Sequence, residues 1–129
     1  MDFAFTAEHE ELRQTVRRFL EREFPEARVR VLMETPTGHD ERIWKRMAEE
    51  LALPGLVIPE RYGGAGLGPI ELGIVMEEMG RVLFCGPYFS TAVLSVYLLL
   101  QAATEEAKGS LLREIASGTA ILATALHQD

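Results

Sequence analysis

Apolar residues recur at helical spacing through most of the chain. In the first segment they lie four, three, one and four residues apart, so they share one face of a helix: Leu12, Val16, Phe19, Leu20 and Phe24. Phe3 and Phe5 precede Thr6, which is a suitable N-cap, and Pro25 ends the pattern. The spacing therefore predicts a helix between Thr6 and Pro25, followed by a short amphipathic segment.

Three further helices are predicted by caps and apolar faces. Asp40 begins one, whose inward face is Ile43, Trp44, Met47, Ala48 and Leu51. Pro69 is well placed as the first residue of another, which runs to about Leu83. Thr104 begins a third that continues to about Ala116, where a Ser-Gly pair closes it.

The segment from Val82 to Thr104 carries no charged residue. Gly86-Pro87 interrupts it, and the helical part over 88–100 would be about 20 Å long at the α-helical rise. A bilayer core is roughly 30 Å thick, so a membrane span is disfavoured. The pattern instead predicts a helix over 88–103 that is the most buried in the fold.

The chain changes character after Gly118. Residues 119–126 are short, apolar and partly β-branched, which is typical of a strand, and one strand alone is not stable. The predicted architecture is all-α, a multihelical orthogonal bundle of five to six helices over 1–118. Residues 119–129 are then expected to be the first strand of a β domain that is otherwise missing.

Composition narrows the function classes. The 129 residues suit one domain, and the formal net charge is -7, with 20 acidic and 13 basic residues, so nucleic-acid binding is disfavoured. Cys85 is the only cysteine, which excludes an intrachain disulfide, and the acidic N-terminus lacks the pattern of a signal peptide. These features favour a cytoplasmic protein.

Tests for catalytic and ligand motifs are negative. The glycine-rich stretch PERYGGAGLGP at 59–69 lacks the lysine of a Walker A motif and the glycine spacing of a dinucleotide fingerprint, so a packing loop is favoured. His9, His39 and His127 show no metal-ligand spacing. Adjacent glutamates on the helices are interpreted as solvated faces. The residues alone predict no catalytic group and no metal site.

Three passages together resemble the acyl-CoA dehydrogenase family. They are the opening FTAEHEELRQTVRRFLEREF, the stretch LALPGLVIPERYGGAGLGPIELGIVMEEMGR, and GSLLREIASGTAILATAL before the C-terminus. The similarity follows the family's order along nearly the whole chain, and the middle passage is the most specific. The chain is therefore expected to be the N-terminal helical domain of such an enzyme.

The resemblance implies a fold and an activity for a longer protein. Family members have a helical N-terminal domain, a middle β domain and a C-terminal helical domain, with FAD held mainly by the last two. A carboxylate in the C-terminal domain takes the α-proton of an acyl-CoA thioester while the β-hydrogen leaves as hydride to the flavin. The catalytic base would thus lie outside this chain, and the chain alone is expected to hold no FAD.

The resemblance also implies partners and site residues. Tyr88, Ser90, Thr91 and Leu94 are the candidates for the wall of the acyl cavity, together with the loop at 63–68. Family members form dimers or tetramers and pass electrons to an electron-transfer flavoprotein or a similar acceptor. FCGPYFSTAVLS is closer to a branch acting on bulky or ring-bearing acyl-CoA, in fatty-acid or steroid side-chain metabolism, where some flavin-free subunits pair with active ones.

The C-terminal residues depart from the family pattern. The first strand of family members usually runs into Thr-Glu-Pro, whereas this chain reads Leu126, His127 and two further polar residues. Leu126 and His127 remain the possible flavin contacts. Two alternatives stay open: a catalytically silent partner subunit or truncated relative that acts in assembly, and an unrelated helical binding module.

Overall fold

The computed structural model of the chain describes residues 4–127, so Phe3 and the last two positions of the predicted strand, 128 and 129, lie outside the described residues. The described residues form six α-helices and no β-strand, which confirms the all-α class. The helices are α1 (Ala7–Glu23), α2 (Glu26–Met33), α3 (Glu41–Leu51), α4 (Pro69–Arg81), α5 (Val96–Ala102) and α6 (Glu105–Ala116). A 3₁₀ turn, Glu60–Tyr62, precedes the glycine-rich loop, and a π-helix, Phe89–Ser95, leads directly into α5.

The predicted N-caps are confirmed. The side chains of Thr6, Asp40 and Thr104 each accept a hydrogen bond from a backbone amide in the first turn of α1, α3 and α6, at 3.2, 2.8 and 3.2 Å. Each bond satisfies a donor that has no partner inside its helix. The starts of these three helices are therefore determined locally by the sequence.

The chain divides into two compact units, Met1–His39 with Gly68–Cys85 and Asp40–Leu67 with Gly86–Asp129. In the first unit α1 packs against α4. The predicted apolar face of α1 is confirmed at its centre and end, where Val16, Phe19, Leu20 and Phe24 are buried. In α4, Ile74 and Met79 are buried, whereas Ile70 is exposed because it lies in the first turn of the helix.

In the second unit α6 packs against both α5 and the 3₁₀ turn. The predicted face of α3 is confirmed at Ile43, Trp44, Met47 and Ala48, which are all buried, whereas Leu51 at the end of the helix is half-buried. Apolar residues of the connection after α3 complete this core: Leu53, Leu56, Val57 and Ile58. The unit therefore has its own apolar core, to which one side of the π-helix also contributes.

The uncharged segment over 88–103 is buried on one side only. Tyr88, Ala92 and Val96 are almost inaccessible, but Phe89 and Leu98 are 54% and 49% exposed. The expectation that this is the most buried helix is therefore wrong for its other side. Among residues 4–127, no helix has the length and apolar character needed to cross a membrane.

Residues 119–127 follow α6 without forming a helix or a paired strand in the described part of the chain. Burial nevertheless alternates: Ala120, Leu122 and Thr124 are half-buried, while the residues between them are exposed. This period of two is the one that a strand produces. The predicted strand is not formed, because no neighbouring strand among the described residues supplies backbone hydrogen bonds to it. The predicted domain boundary at residue 118 stays a prediction.

Candidate functional site

Tyr88 lies at the start of the π-helix and is 1% exposed. Its hydroxyl donates to the backbone carbonyl oxygen of Leu53 at 2.8 Å, and its ring meets Trp44 in an edge arrangement with centroids 6.4 Å apart. Burial raises the pKa of the Tyr88 phenol above its usual value. The phenol therefore stays neutral and is already paired, so it anchors the helix in the core of the second unit.

Thr91, another cavity candidate, is fully buried. Its hydroxyl donates to the carbonyl oxygen of Leu122 at 2.9 Å and accepts from the amide of the same residue at 3.2 Å. One turn further on, the buried Ser95 donates to the carbonyl oxygen of Ser90 at 2.8 Å and hydrogen bonds with the hydroxyl of Thr124 at 3.1 Å. The sequence did not single out Ser95, Leu122 or Thr124, because these contacts join segments about 30 positions apart.

Ser90 and Leu94 are less buried than Tyr88 and Thr91. Ser90 is half-buried and donates to the carbonyl oxygen of Pro87 at 3.2 Å. Leu94 is 43% exposed and lies between Phe89 and Leu98, at spacings of five and four residues. These spacings match one π turn and one α turn, so the three side chains share one side of the helix. We call Phe89, Leu94 and Leu98 the apolar stripe.

The four predicted cavity residues are thus divided by the fold. Tyr88 and Thr91 are buried and paired within the second unit, whereas Leu94 belongs to the accessible stripe. Two surface clefts, of about 480 and 510 Å³, are lined by none of the four. A role for these residues in an acyl cavity stays a prediction.

The backbone amides at 63–67 in the glycine-rich loop are not free to hold a phosphate. Each backbone amide from 63 to 67 donates to a backbone carbonyl of the same unit, at 2.9–3.3 Å. At Gly64 an added Cβ would lie 2.0 Å from the carbonyl oxygen of Ile58, so the two backbones touch. These contacts fit the predicted packing loop, because a phosphate cradle needs amides that point outward unpaired.

Leu126 and His127, the possible flavin contacts, lie at the end of the described chain. Leu126 is 87% exposed, and His127 is also exposed. Within residues 4–127, no group of three His, Cys, Asp or Glu side chains is arranged to hold a metal ion.

The first unit contains a charged cluster at the interface of α1 and α4. Glu78 is 1% exposed and accepts hydrogen bonds from Arg13, Arg17 and Arg81 at 2.8–3.1 Å. The hydrogen bond from Arg17 is the main cause that lowers the pKa of Glu78 to about 2. The interpretation of the adjacent glutamates as a solvated face is therefore wrong for Glu78.

The sequence carries a partial signal for this cluster. Arg13 and Arg17 are four residues apart on α1, and Glu78 and Arg81 are three apart on α4, so each pair shares a helix side. The apolar faces of both helices border these positions. A charge pattern of opposite sign on two facing helices predicts an ion cluster only once their contact is known.

Comparison with known proteins connects this fold to a family. Residues 6–119 match the model for the N-terminal domain of acyl-CoA dehydrogenases. Acyl-CoA dehydrogenase IpdE2 of Mycobacterium tuberculosis is 38% identical over 122 residues, which cover 95% of this chain and 37% of that protein. IpdE2 of Mycolicibacterium smegmatis is 35% identical over 114 residues, covering 88% of this chain and 35% of that protein.

Solved structures show the same relationship. A variant of the Tcur3481-Tcur3483 steroid ACAD superposes with a TM-score of 0.81 at 29% identity, covering 90% of this chain and 31% of that chain. The ChsE4-ChsE5 complex from Mycobacterium tuberculosis gives a TM-score of 0.84 at 24% identity, covering 95% and 34%, and this likeness shows the fold alone.

The chain therefore belongs to the acyl-CoA dehydrogenase family and corresponds to its N-terminal domain. It spans only about a third of the length of the curated relatives that it matches, 37% and 35%. The alternative of an unrelated helical binding module is wrong, because the family model covers most of the chain.

Proposed function

We propose that this chain is the N-terminal domain of a flavin-dependent enzyme that dehydrogenates an acyl-CoA thioester between its α and β carbons. The similarity to IpdE2 over 95% of the chain supports this reaction class. The catalytic base is placed outside the chain. Consistent with that, the buried carboxylate of Glu78 is held ionised by three guanidinium groups and has no open face for a substrate.

The domain's own contribution would be an apolar wall for the acyl group. Phe89, Leu94 and Leu98 expose about half of their side chains on one side of the π-helix and α5. Covering apolar surface gains roughly 25 cal/mol per Å², so this stripe favours an apolar ligand or a covering surface over water. The apolar stripe is the observation that carries the proposed role in the cavity.

The described residues are not expected to form an FAD site by themselves. The loop amides at 63–67 are paired, and the candidates for flavin contact are the exposed Leu126 and His127. When bound, FAD would supply the acceptor for the hydride that leaves the β carbon. This chain's residues would contact FAD only at the edge of its binding site. The chain alone is therefore expected to lose FAD during gel filtration.

The substrate class proposed is an acyl-CoA with a bulky or ring-bearing acyl group. The support is the 29% identity to a steroid ACAD together with a stripe of three large apolar side chains on one helix side. The proposed assembly is a homo- or hetero-oligomer, either a dimer or a tetramer, that transfers electrons to an electron-transfer flavoprotein or a similar acceptor.

A catalytically silent partner subunit is the second candidate. Two of the similar structures are named as pairs, Tcur3481-Tcur3483 and ChsE4-ChsE5. His127 also stands where family members usually continue toward Thr-Glu-Pro. A silent subunit would use the same fold for assembly and would not need flavin contacts from the segment after α6.

The visible spectrum of the full-length protein distinguishes these candidates. The protein is purified in the presence of excess FAD, passed through gel filtration, and mixed anaerobically with short and ring-bearing acyl-CoA thioesters. The enzyme proposal predicts a retained flavin spectrum that bleaches on addition of an acyl-CoA. A colourless protein that none of the thioesters changes would contradict it. Flavin binding only after addition of a second acyl-CoA dehydrogenase chain would support the partner subunit.

A further inference from the structure

The segment 119–127 has the side-chain alternation of a strand, but its described backbone contacts are to helical segments. The amides of Thr119 and Ala120 donate to the carbonyl oxygen of Glu114 in α6, at 2.9 and 3.1 Å, and further along the segment the contacts are to the π-helix. Thr91 provides hydrogen-bond partners for the backbone of this segment, as a neighbouring strand normally does. Its hydroxyl accepts from the amide of Leu122 and donates to the carbonyl oxygen of Leu122, so both backbone polar groups of one residue are paired by one side chain. A buried hydroxyl with both roles filled is a fixed point for the segment.

Ser95 provides a second fixed point one helical turn later. Its hydroxyl is 2.8 Å from the carbonyl oxygen of Ser90 and 3.1 Å from the hydroxyl of Thr124. Thr91 and Ser95 are both buried in the π-helix, and Leu122 and Thr124 are both half-buried, two residues apart on one side of the extended segment. Both pairs of contacts are present together in the structure.

We infer that Thr91 and Ser95 are positioning residues that fix the register of the segment 119–127. They hold Leu122 and Thr124 toward the helix, so Ile121, Ala123 and Ala125 face outward. A shift by one residue would reverse every side chain, because successive residues of an extended chain point in opposite directions. Thr91 thus acts through Leu122 and not by touching an acyl group, which differs from its predicted place in the cavity wall.

A consequence for activity rests on the proposed function. If the segment enters the next domain of an acyl-CoA dehydrogenase, its register determines where Leu126 and His127 lie. The two hydroxyls would then influence the flavin and acyl environment from a distance of several residues. The register itself does not depend on that proposal and can be measured separately.

Amide hydrogen exchange of Leu122, followed by NMR, tests the register. Thr91→Val keeps the side-chain shape but removes both hydrogen bonds, and Thr91→Ser keeps them. We expect Leu122 to exchange on the order of tenfold faster in Thr91→Val and at the wild-type rate in Thr91→Ser, since one lost hydrogen bond has about that effect on local opening. Equal rates in all three proteins would overturn the inference.

Thr124→Val is the second variant, because Thr91 is buried and its replacement can affect folding. Thr124 lies on the half-buried side of the segment, so the cores of the helices stay intact. Losing its bond to Ser95 is expected to speed exchange of the Leu122 amide with an unchanged melting temperature. An unchanged Leu122 exchange rate in Thr124→Val would contradict the role of Ser95.

Steady-state kinetics of the full-length protein then test the consequence. Thr91→Val should lower kcat/KM for acyl-CoA by about tenfold, and Thr91→Ser should restore it, at matched flavin content and melting temperature. Loss of activity to the same extent in both variants would contradict positioning by the hydroxyl. A wild-type protein inactive on every acyl-CoA would refute the proposed function but leave the exchange result as the test of the register.

Discussion

Arg17 donates two parallel hydrogen bonds to the buried carboxylate of Glu78, from Nε to Oε2 at 2.9 Å and from Nη2 to Oε1 at 2.8 Å. Arg13 and Arg81 add one bond each, at 2.9 and 3.1 Å. A buried charge is tolerated only when its lone pairs are filled and its charge is compensated. The carboxylate therefore joins α1 to α4 through buried polar contacts, and the pairs His9–Glu71 and Arg13–Glu77 add further polar contacts between the two helices, at 3.4 and 3.2 Å.

Replacing Glu78 by Gln should destabilise the protein strongly. The substitution keeps the size of the side chain but leaves three arginines near a buried neutral amide, and breaking a buried ion pair costs roughly 3–5 kcal/mol. The free energy of unfolding is measured by urea titration at neutral pH. Glu77→Gln is the matched control: its carboxylate is 63% exposed, so a loss below about 1 kcal/mol is expected. Similar losses in both variants would contradict the account of the cluster.

Acid should remove the stabilisation by Glu78 over a defined range of pH. Its pKa falls from the usual 4.5 to about 2 in the folded protein, so the folded state binds the proton less readily than the unfolded state. The contribution is complete above pH 4.5 and is lost as the pH falls toward 2. Glu78→Gln should therefore show a weaker dependence of unfolding free energy on pH in this range. An identical pH dependence in the two proteins would show that other groups cause it.

Trp44 should behave as a core anchor. It is 3% exposed, and its indole N–H has no hydrogen-bond acceptor among the described residues, so it contributes to stability through packing. Trp44→Ala is expected to cost roughly 3–5 kcal/mol. Trp44→Phe should cost less, because an aromatic ring can still meet Tyr88 and no hydrogen bond is lost. Thermal unfolding is followed by circular dichroism and not by tryptophan fluorescence, because Trp44 is the only tryptophan and is the residue replaced. An unfolding midpoint unchanged in Trp44→Ala would place the indole outside the core.

Two glycines should respond oppositely to replacement by alanine. At Gly64 the new Cβ would lie 2.0 Å from the carbonyl oxygen and 2.4 Å from the Cβ of Ile58, so the loop must open and the protein is destabilised. At Gly73, inside α4, nothing lies within 4 Å, and alanine should stabilise the helix by roughly 0.5–1 kcal/mol. The melting temperatures of the two variants provide the comparison. A Gly64→Ala protein as stable as wild type would contradict the close backbone approach.

Local signals made much of the helical framework predictable. Thr6, Asp40 and Thr104 begin helices because their side chains bond to amides in the same turn, and that interaction needs no knowledge of the rest of the chain. The faces of α1 and α3 follow from apolar spacing in the same way. The class and the helix starts could therefore be predicted from the sequence.

The candidate site was less predictable because its contacts are not local. A uniform helical period over 88–103 groups Tyr88, Ser90, Thr91 and Leu94, whereas the π turn changes the period and separates buried from exposed positions. The hydrogen bonds from Thr91 to Leu122 link positions far apart in sequence, and the residues of either segment alone do not predict them. Glu78 was misassigned for the same reason: its three arginines come from two helices.

The selectivity of the full-length enzyme for acyl size tests the central proposal most directly. Leu94→Trp enlarges the apolar stripe at an already exposed position, and Val31→Trp, at a side chain that is 64% exposed in the first unit, is the matched control. The measured quantity is the ratio of kcat/KM for a ring-bearing acyl-CoA to that for a short one. If this domain walls the acyl cavity, Leu94→Trp lowers the ratio by about tenfold or more while Val31→Trp leaves it unchanged. A ratio equal to that of wild type in Leu94→Trp, at matched flavin content, would contradict the proposal.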